Sequence, residues 1–209
     1  MSAAIAIFVK TPGLSSVKTR LAAGIGEAAA LEFYDLSVKA VADAARQAEA
    51  KTYWAVAEEE GLGHWLEFKA LYTGGGSLGV RQRHVYETLR LEYKNVLLIG
   101  ADAPQLSPEI LNRAIAALEN SDFVIGPARD GGYYLFGGRV AVDADIWAQV
   151  PWSANDTREV FESLLPSRPF YLSVLTDVDR EGNLQAAIGE MPKNVSAAQK
   201  AVVDWVLNR

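Results

Sequence analysis

Asn95-Val96-Leu97-Leu98-Ile99-Gly100-Ala101-Asp102-Ala103-Pro104 is an apolar run that ends on a carboxylate and is halted by a proline. A short continuous apolar run of this kind reads as a strand buried on both faces, which is how parallel sheets covered by helices look in sequence. Asp102 then stands at the C-terminal end of such a strand, where open α/β sheets bind their ligands. Two more acidic loops follow: Gly126-Pro127-Ala128-Arg129-Asp130-Gly131-Gly132-Tyr133-Tyr134 about one strand-helix unit later, and Asp177-Val178-Asp179 beyond that. Three acidic loops converging on one crevice suit a hard divalent cation, Mg2+ or Mn2+, holding phosphates.

Outward from this run, strand-like and helical patterns alternate, the signature of a mostly parallel sheet with helices on its faces. Ala3-Ala4-Ile5-Ala6-Ile7-Phe8-Val9 reads as the first strand and is followed by a long loop from Lys10 to about Gly24. A helix then carries Leu31, Tyr34, Val38, Val41 and Ala45 on one stripe. Thr52 to Ala57 is the second strand, and Ser77 to about Tyr93 contains a helix with Val85 and Leu89 on one face. Ser107-Pro108-Glu109 has the order of an N-cap, a first-turn proline and a first-turn acid, opening a helix with Leu111, Ala114, Ile115 and Leu118 inward. Strands are expected near Phe123 to Gly126, Tyr133 to Phe136 and Phe170 to Leu175, and a closing helix over Ser196 to Leu207 with Ala198, Val202, Trp205 and Val206 toward the core. The Gly131-Gly132 link leaves no room for a crossover helix, so antiparallel pairing enters at Tyr133 to Phe136.

With 209 residues, half of them hydrophobic, residues 1–209 are expected to form one domain. A net charge of −6 argues against a basic nucleic-acid-binding face, and the absence of cysteine excludes disulfides, thiolate nucleophiles and Cys-ligated metals. Residues 3–9 are too few to span a bilayer, so the expectation is a soluble, cytoplasmic protein with no membrane partner and no nucleic-acid partner.

Lys10-Thr11-Pro12-Gly13-Leu14-Ser15-Ser16-Val17-Lys18-Thr19-Arg20-Leu21 concentrates three cations in an otherwise acidic chain. Backbone N–H groups in a loop of small residues, together with Lys and Arg, suit a tetrahedral anion, so phosphate binding is the functional reading. A Walker A loop is a poor match, because Gly13 precedes Lys18 by five residues and no glycine stands directly before the lysine. Each candidate also has a plainer role. Asp102 can cap a helix or turn beside Pro104, Asp130 can make an Asx turn ahead of Gly131 and Gly132, and Asp177 or Asp179 can cap a helix beginning near Arg180. Trp152 is a lid near an acceptor or a hydrophobic plug, and His64 and His84 read as surface or packing residues.

These motifs, with Gly75-Gly76-Ser77-Leu78-Gly79-Val80-Arg81 and Trp152-Ser153, occur in the order and spacing of one family. The chain resembles the bacterial DUF2064 family, a branch of the nucleotide-diphospho-sugar transferases, some of whose members are called glycosyltransferases of arsenosugar biosynthesis. The first loop also resembles that of phospholactate and molybdenum cofactor guanylyltransferases. The resemblance implies a three-layer α/β/α GT-A fold with a mostly parallel mixed sheet. It implies metal-binding roles for Asp102 and for Asp177 or Asp179, phosphate contacts from Lys10, Gly13, Lys18 and Arg20, and a base-side loop at Leu78 and Gly79. The chain departs from the family where Ser77 replaces a usual acid and where Ala101 and Ala103 replace serines flanking the aspartate. The expected chemistry is sugar transfer from a nucleotide diphosphate to a small acceptor, with Asp130 and Asp102 catalytic and Tyr133 and Trp152 on the acceptor side. Nucleotidyl transfer from a nucleoside triphosphate to a phosphorylated metabolite, with release of pyrophosphate, is the second reading, and a non-catalytic nucleotide-binding module the third.

Overall fold

The computed structural model describes residues 2–209. The elements are β1 (Ala3–Val9), α1 (Thr19–Ile25), α2 (Glu27–Arg46), β2 (Lys51–Val56), a 3-10 turn (Glu59–His64), β3 (Lys69–Tyr72), α3 (Leu78–Arg90) and β4 (Asn95–Gly100). They continue with α4 (Pro108–Ala117), β5 (Phe123–Pro127), β6 (Tyr133–Gly138), α5 (Ala144–Gln149), α6 (Thr157–Leu164), β7 (Phe170–Tyr171), α7 (Asn183–Gly189) and α8 (Ala197–Leu207). All seven strands join one sheet in the order β3-β2-β1-β4-β6-β5-β7. Only β6 runs against the others, pairing antiparallel with both β4 and β5. This is the expected mixed, mostly parallel α/β architecture, with the antiparallel strand where the Gly131-Gly132 link requires it.

Alternation along the buried strands feeds two cores. Ile5, Ile7 and Val9 of β1, with Trp54 of β2 and Leu97 and Ile99 of β4, face Tyr34, Val38 and Val41 of α2 and Leu111 and Ala114 of α4. Ala4, Ala6, Val96 and Leu98 face the opposite way, toward Val85, Tyr86 and Leu89 of α3, Trp147 of α5 and Phe161 of α6. Three layers follow directly from this two-residue period.

Several expectations are revised. The long loop after β1 already turns helical at Thr19, so Arg20 sits on α1. Leu31, expected inward on α2, is 37% exposed. The closing helix α8 does turn Val202 and Val206 inward as expected, and the core they enter is a third cluster with Leu21, Phe33 and Val178 against α1 and α2. The last strand is short, because only Phe170 and Tyr171 pair with β5 before a single further bridge joins Ala128 to Leu175. None of the described helices is long and apolar enough to cross a membrane.

Candidate active site

The crossover from β1 leads outward to β2, while that from β4 leads the other way to β5, so β1 and β4 flank a switch point in the sheet. A cleft of about 980 Å3 opens there, lined by Val9 and Lys10 after β1 and by Gly100, Ala101 and Asp102 after β4. Ser15 to Arg20, Glu58 to Glu60, Thr73, Leu78, Arg81, Gln82, Tyr133, Asp177 and Asp179 are among the residues that complete the wall.

The first loop is held from beneath. The Tyr34 hydroxyl accepts from Lys10 N at 2.9 Å and donates to Lys10 O at 2.8 Å, and burial pushes its pKa up. Thr11 N donates to Glu58 Oε2 at 2.8 Å, and Trp65 Nε1 donates to Thr11 Oγ1 at 3.0 Å. Burial works against a charged Glu58, but hydrogen bonds from Ser15 and Thr11 outweigh it and lower its pKa. Gly13 takes φ +87°, the left-handed region open to glycine, which lets Leu14 and Ser15 fold back to donate to Thr11 O. The loop delivers Lys18 with φ 48°, itself left-handed, immediately before α1. Its side chain is only 3% exposed, pairs with the Asp102 carboxylate and donates to Val178 O at 2.5 Å. Arg20 Nη1 pairs with Asp179 Oδ2 at 2.9 Å.

Two of the three acidic loops meet. One carboxylate oxygen from each of Asp102, Asp177 and Asp179 lies within 4.8 Å of the others. Asp102 is not a helix cap, since Ser107 caps α4 and accepts from Ile110 N. Neither Asp177 nor Asp179 caps α7, whose N-cap is Gly182. Burial, then the adjacent Asp102 charge, push Asp177 well above the usual carboxylate range against the opposing pull of Lys18. A hard cation takes oxygens at about 2.0–2.6 Å, so ligands across it stand roughly 4–5 Å apart, and the three aspartates fit such an ion.

The third loop behaves otherwise. Asp130 is exposed, its Oδ1 accepts from Gly132 N at 2.9 Å in an Asx turn, and it lies outside the residues lining the cleft. Trp152 is a plug: its Nε1 donates to Trp147 O at 2.9 Å and its ring stacks on Trp147 with centroids 6.0 Å apart. Gly79 packs beneath it, where an added Cβ would meet the Trp152 ring and Trp147 O, so its backbone serves packing while Leu78 faces the cleft. Tyr133 lines the cleft but gives its hydroxyl to Gln82 Oε1 at 2.6 Å, and burial raises its pKa. His64 packs edge-on against Trp65, and His84 lies beside Gly74, both away from the cleft.

Glu58, Thr73, Arg81 and Gln82 were not singled out from sequence for the cleft. Arg81 Nη1 donates to Ala57 O at 2.7 Å and to Thr73 Oγ1 at 3.2 Å, stitching the ends of β2 and β3 to α3. Its place in the Gly75 to Arg81 motif was the available signal. Nothing local marks the other three.

A Desulfovibrio desulfuricans G20 protein, provisionally named a nucleotide-diphospho-sugar transferase, superposes with a TM-score of 0.85 at 25% identity, covering 100% of this chain and 98% of that one. A cytidylyltransferase from Leptospira borgpetersenii serovar Hardjo-bovis gives 0.59 at 13% identity over 100% and 94% of the two chains. The 4-diphosphocytidyl-2C-methyl-D-erythritol synthase from Anaerococcus prevotii DSM 20548 gives 0.53 at 13% over 100% and 96%. No curated protein matches the sequence at a significant level. The mixed sheet and its switch-point cleft thus define the fold of nucleotide-sugar and nucleotidyl transferases, the GT-A type. Within it, the chain belongs to the DUF2064 family, described as uncharacterized protein conserved in bacteria, whose model matches residues 28–154. That match takes in Asp102 and Asp130, while Lys10 to Arg20 and Asp177 to Asp179 lie outside it.

Proposed function

We propose that this protein transfers a sugar from a nucleotide diphosphate donor to a small acceptor. The observation that carries the reading is the gathering of Asp102, Asp177 and Asp179 within 4.8 Å, in the cleft that also holds Lys10, Lys18 and Arg20. Carboxylates and cations side by side suit a ligand that is a polyanion accompanied by a metal. Mg2+ or Mn2+ held by the three aspartates would supply neutralisation of the charge that builds on the diphosphate. Lys18, Arg20 and Lys10 add fixed positive charge on the same side, and Leu78 borders the base. The acceptor oxygen attacks the anomeric carbon, the bond from that carbon to the diphosphate oxygen breaks, and the acceptor proton passes to Asp130, which on this reading must swing out of its Asx turn toward the cleft. The nucleoside diphosphate leaves.

Nucleotidyl transfer is the second reading, and the placing of Asp130 favours it. A carboxylate outside the cleft, engaged in its own turn, is a poor base, and a phosphate nucleophile is already anionic and needs none. The partners are then a nucleoside triphosphate and a phosphorylated metabolite.

Asp130→Asn separates the two. For sugar transfer, donor binding should hold while turnover drops by roughly 10²–10⁴-fold, the size of lost general-base catalysis. For nucleotidyl transfer, KM should rise with a smaller loss of kcat, and pyrophosphate in place of nucleoside diphosphate should be the product. Wild-type protein that forms neither product from a panel of nucleotide sugars, triphosphates and acceptors would leave only the non-catalytic nucleotide-binding reading.

A further inference from the structure

Glu190, directly after α7, is the point at which all three acidic loops are tied together. Its Oε1 accepts from Arg129 Nε and from Thr176 Oγ1, both at 2.9 Å. Its Oε2 accepts from the backbone N–H of Thr176 at 2.6 Å and from Gln105 Nε2 at 3.2 Å. Every partner adjoins an acid: Gln105 stands three residues after Asp102, Arg129 immediately precedes Asp130, and Thr176 immediately precedes Asp177. The partners are also tied to one another. Gln105 Nε2 donates to Thr176 O at 2.6 Å, Arg129 Nε reaches Thr176 Oγ1 at 3.2 Å, and Arg129 N donates to Leu175 O at 3.1 Å. One residue beyond Asp177, Val178 N donates to Asp102 O at 3.1 Å, so that acid is anchored on both sides.

We infer that Glu190 is a positioning residue that sets the spacing of Asp102 and Asp177 for their cation and holds the Asp130 turn in register with them. The inference rests on the proposed metal-assisted transfer and adds to it a residue distant in sequence that touches no substrate.

The chemistry of the junction supports this over simple adhesion. Four donors converge on one side chain, and only an ionised carboxylate offers acceptors alone on both oxygens. Glutamine has nearly the same shape but would aim an NH2 group at two of those donors. Thr176 is 2% exposed and Gln105 1%, so although water can reach Arg129, which is 61% exposed, it cannot replace the partner of either buried donor, and the 175–179 segment must shift to relieve the mismatch. Burial opposes the Glu190 charge, but the bonds from Thr176, Arg129 and Gln105 outweigh it and hold the carboxyl below its ordinary range.

The test compares wild type with Glu190→Gln for Mn2+ uptake by electron paramagnetic resonance titration and for metal-free nucleotide binding by calorimetry. Mn2+ affinity should fall by about 10–100-fold, the usual cost of losing an outer partner of a metal ligand. Nucleotide affinity without metal should fall much less than Mn2+ affinity, because Lys10 is held by Tyr34 and Ser16, away from the shifted segment, and only Lys18 is tied to it through Val178 O. Turnover should recover at saturating Mn2+, which a general loss of structure would not allow. Gln105→Met removes two of the junction's bonds at similar volume and gives a second reading if Glu190→Gln folds poorly; its Mn2+ affinity should also fall. Unchanged Mn2+ affinity in either folded variant, or an equal fall in metal and nucleotide affinity, would overturn the inference. Wild-type protein that takes up no Mn2+ would remove the metal reading itself and this inference with it.

Discussion

At Lys18 the role expected from sequence and the burial found in the fold pull in different directions. An exposed loop cation should contribute little to stability, yet this side chain is 3% exposed and faces a carboxylate. Breaking a fully buried pair costs ~3–5 kcal/mol, and with Asp102 39% exposed the expected loss for Lys18→Ala falls below that range. Arg20 and Asp179 are 56% and 33% exposed, so Arg20→Ala should cost less than ~1 kcal/mol. Both variants should bind nucleotide more weakly, with a shallower salt dependence, but only Lys18→Ala should unfold at lower denaturant; equal stability of the two would contradict this account. Asp177 carries the matching pH prediction. Its raised pKa means that folding favours the protonated carboxyl, so its contribution is whole below the unfolded value of about 3.9 and is lost as pH rises through the raised value. Asp177→Asn, neutral throughout, should therefore raise the Tm of metal-free protein at pH 8 relative to wild type and abolish Mn2+ uptake. A lower Tm for the variant at that pH would show that burial and the neighbouring Asp102 charge do not destabilise the ionised carboxylate.

The β5–β6 turn carries Asp130 and leads into Tyr133, which lines the cleft. Gly131 has φ +92°, and an added Cβ would lie 1.6 Å from the backbone oxygen of Asn155. Neither the dihedral nor the neighbouring backbone can yield cheaply, so Gly131→Ala should cost more than the ~1 kcal/mol of an ordinary glycine replacement. Amide hydrogen exchange should locate the loss at residues 128–134 and 153–158; a uniform change across the sheet would point to another cause. The same turn was legible in sequence, because two adjacent glycines between apolar runs exclude a crossover helix. Elements α5, α6 and α7 were not: they are 6, 8 and 7 residues long, too short for periodicity to stand out, and are held by tertiary contacts.

Across the whole molecule, one sheet carries both sides of the cleft, and we propose that residues 1–209 form a single cooperative domain. Scanning calorimetry should then give one transition. A metal–nucleotide complex at 100 times its Kd adds about 2.7 kcal/mol to a binding-competent fold. At roughly 2–4 °C per kcal/mol for a chain of this size, Tm should rise by about 5–11 °C. Two resolved transitions, only one of which moves with ligand, would show that the cleft and the rest of the sheet unfold separately.

Local chemistry in the sequence determined the apolar strands, the Ser107 cap, the antiparallel entry at β6 and the candidacy of Asp102, because burial, capping and turn geometry act within a few residues. Which acids meet is a property of strand order. Asp102 and Asp177 are 75 positions apart and join only because the segment after β7 returns past β5 to the end of β4. Sequence could nominate Asp130 equally well, and its local Asx turn with it; only tertiary structure leaves that turn outside the cleft. It likewise recruits Glu58, Gln82 and Glu190, for which no local pattern exists, since a polar side chain takes its meaning from partners that only the folded chain brings within hydrogen-bond reach.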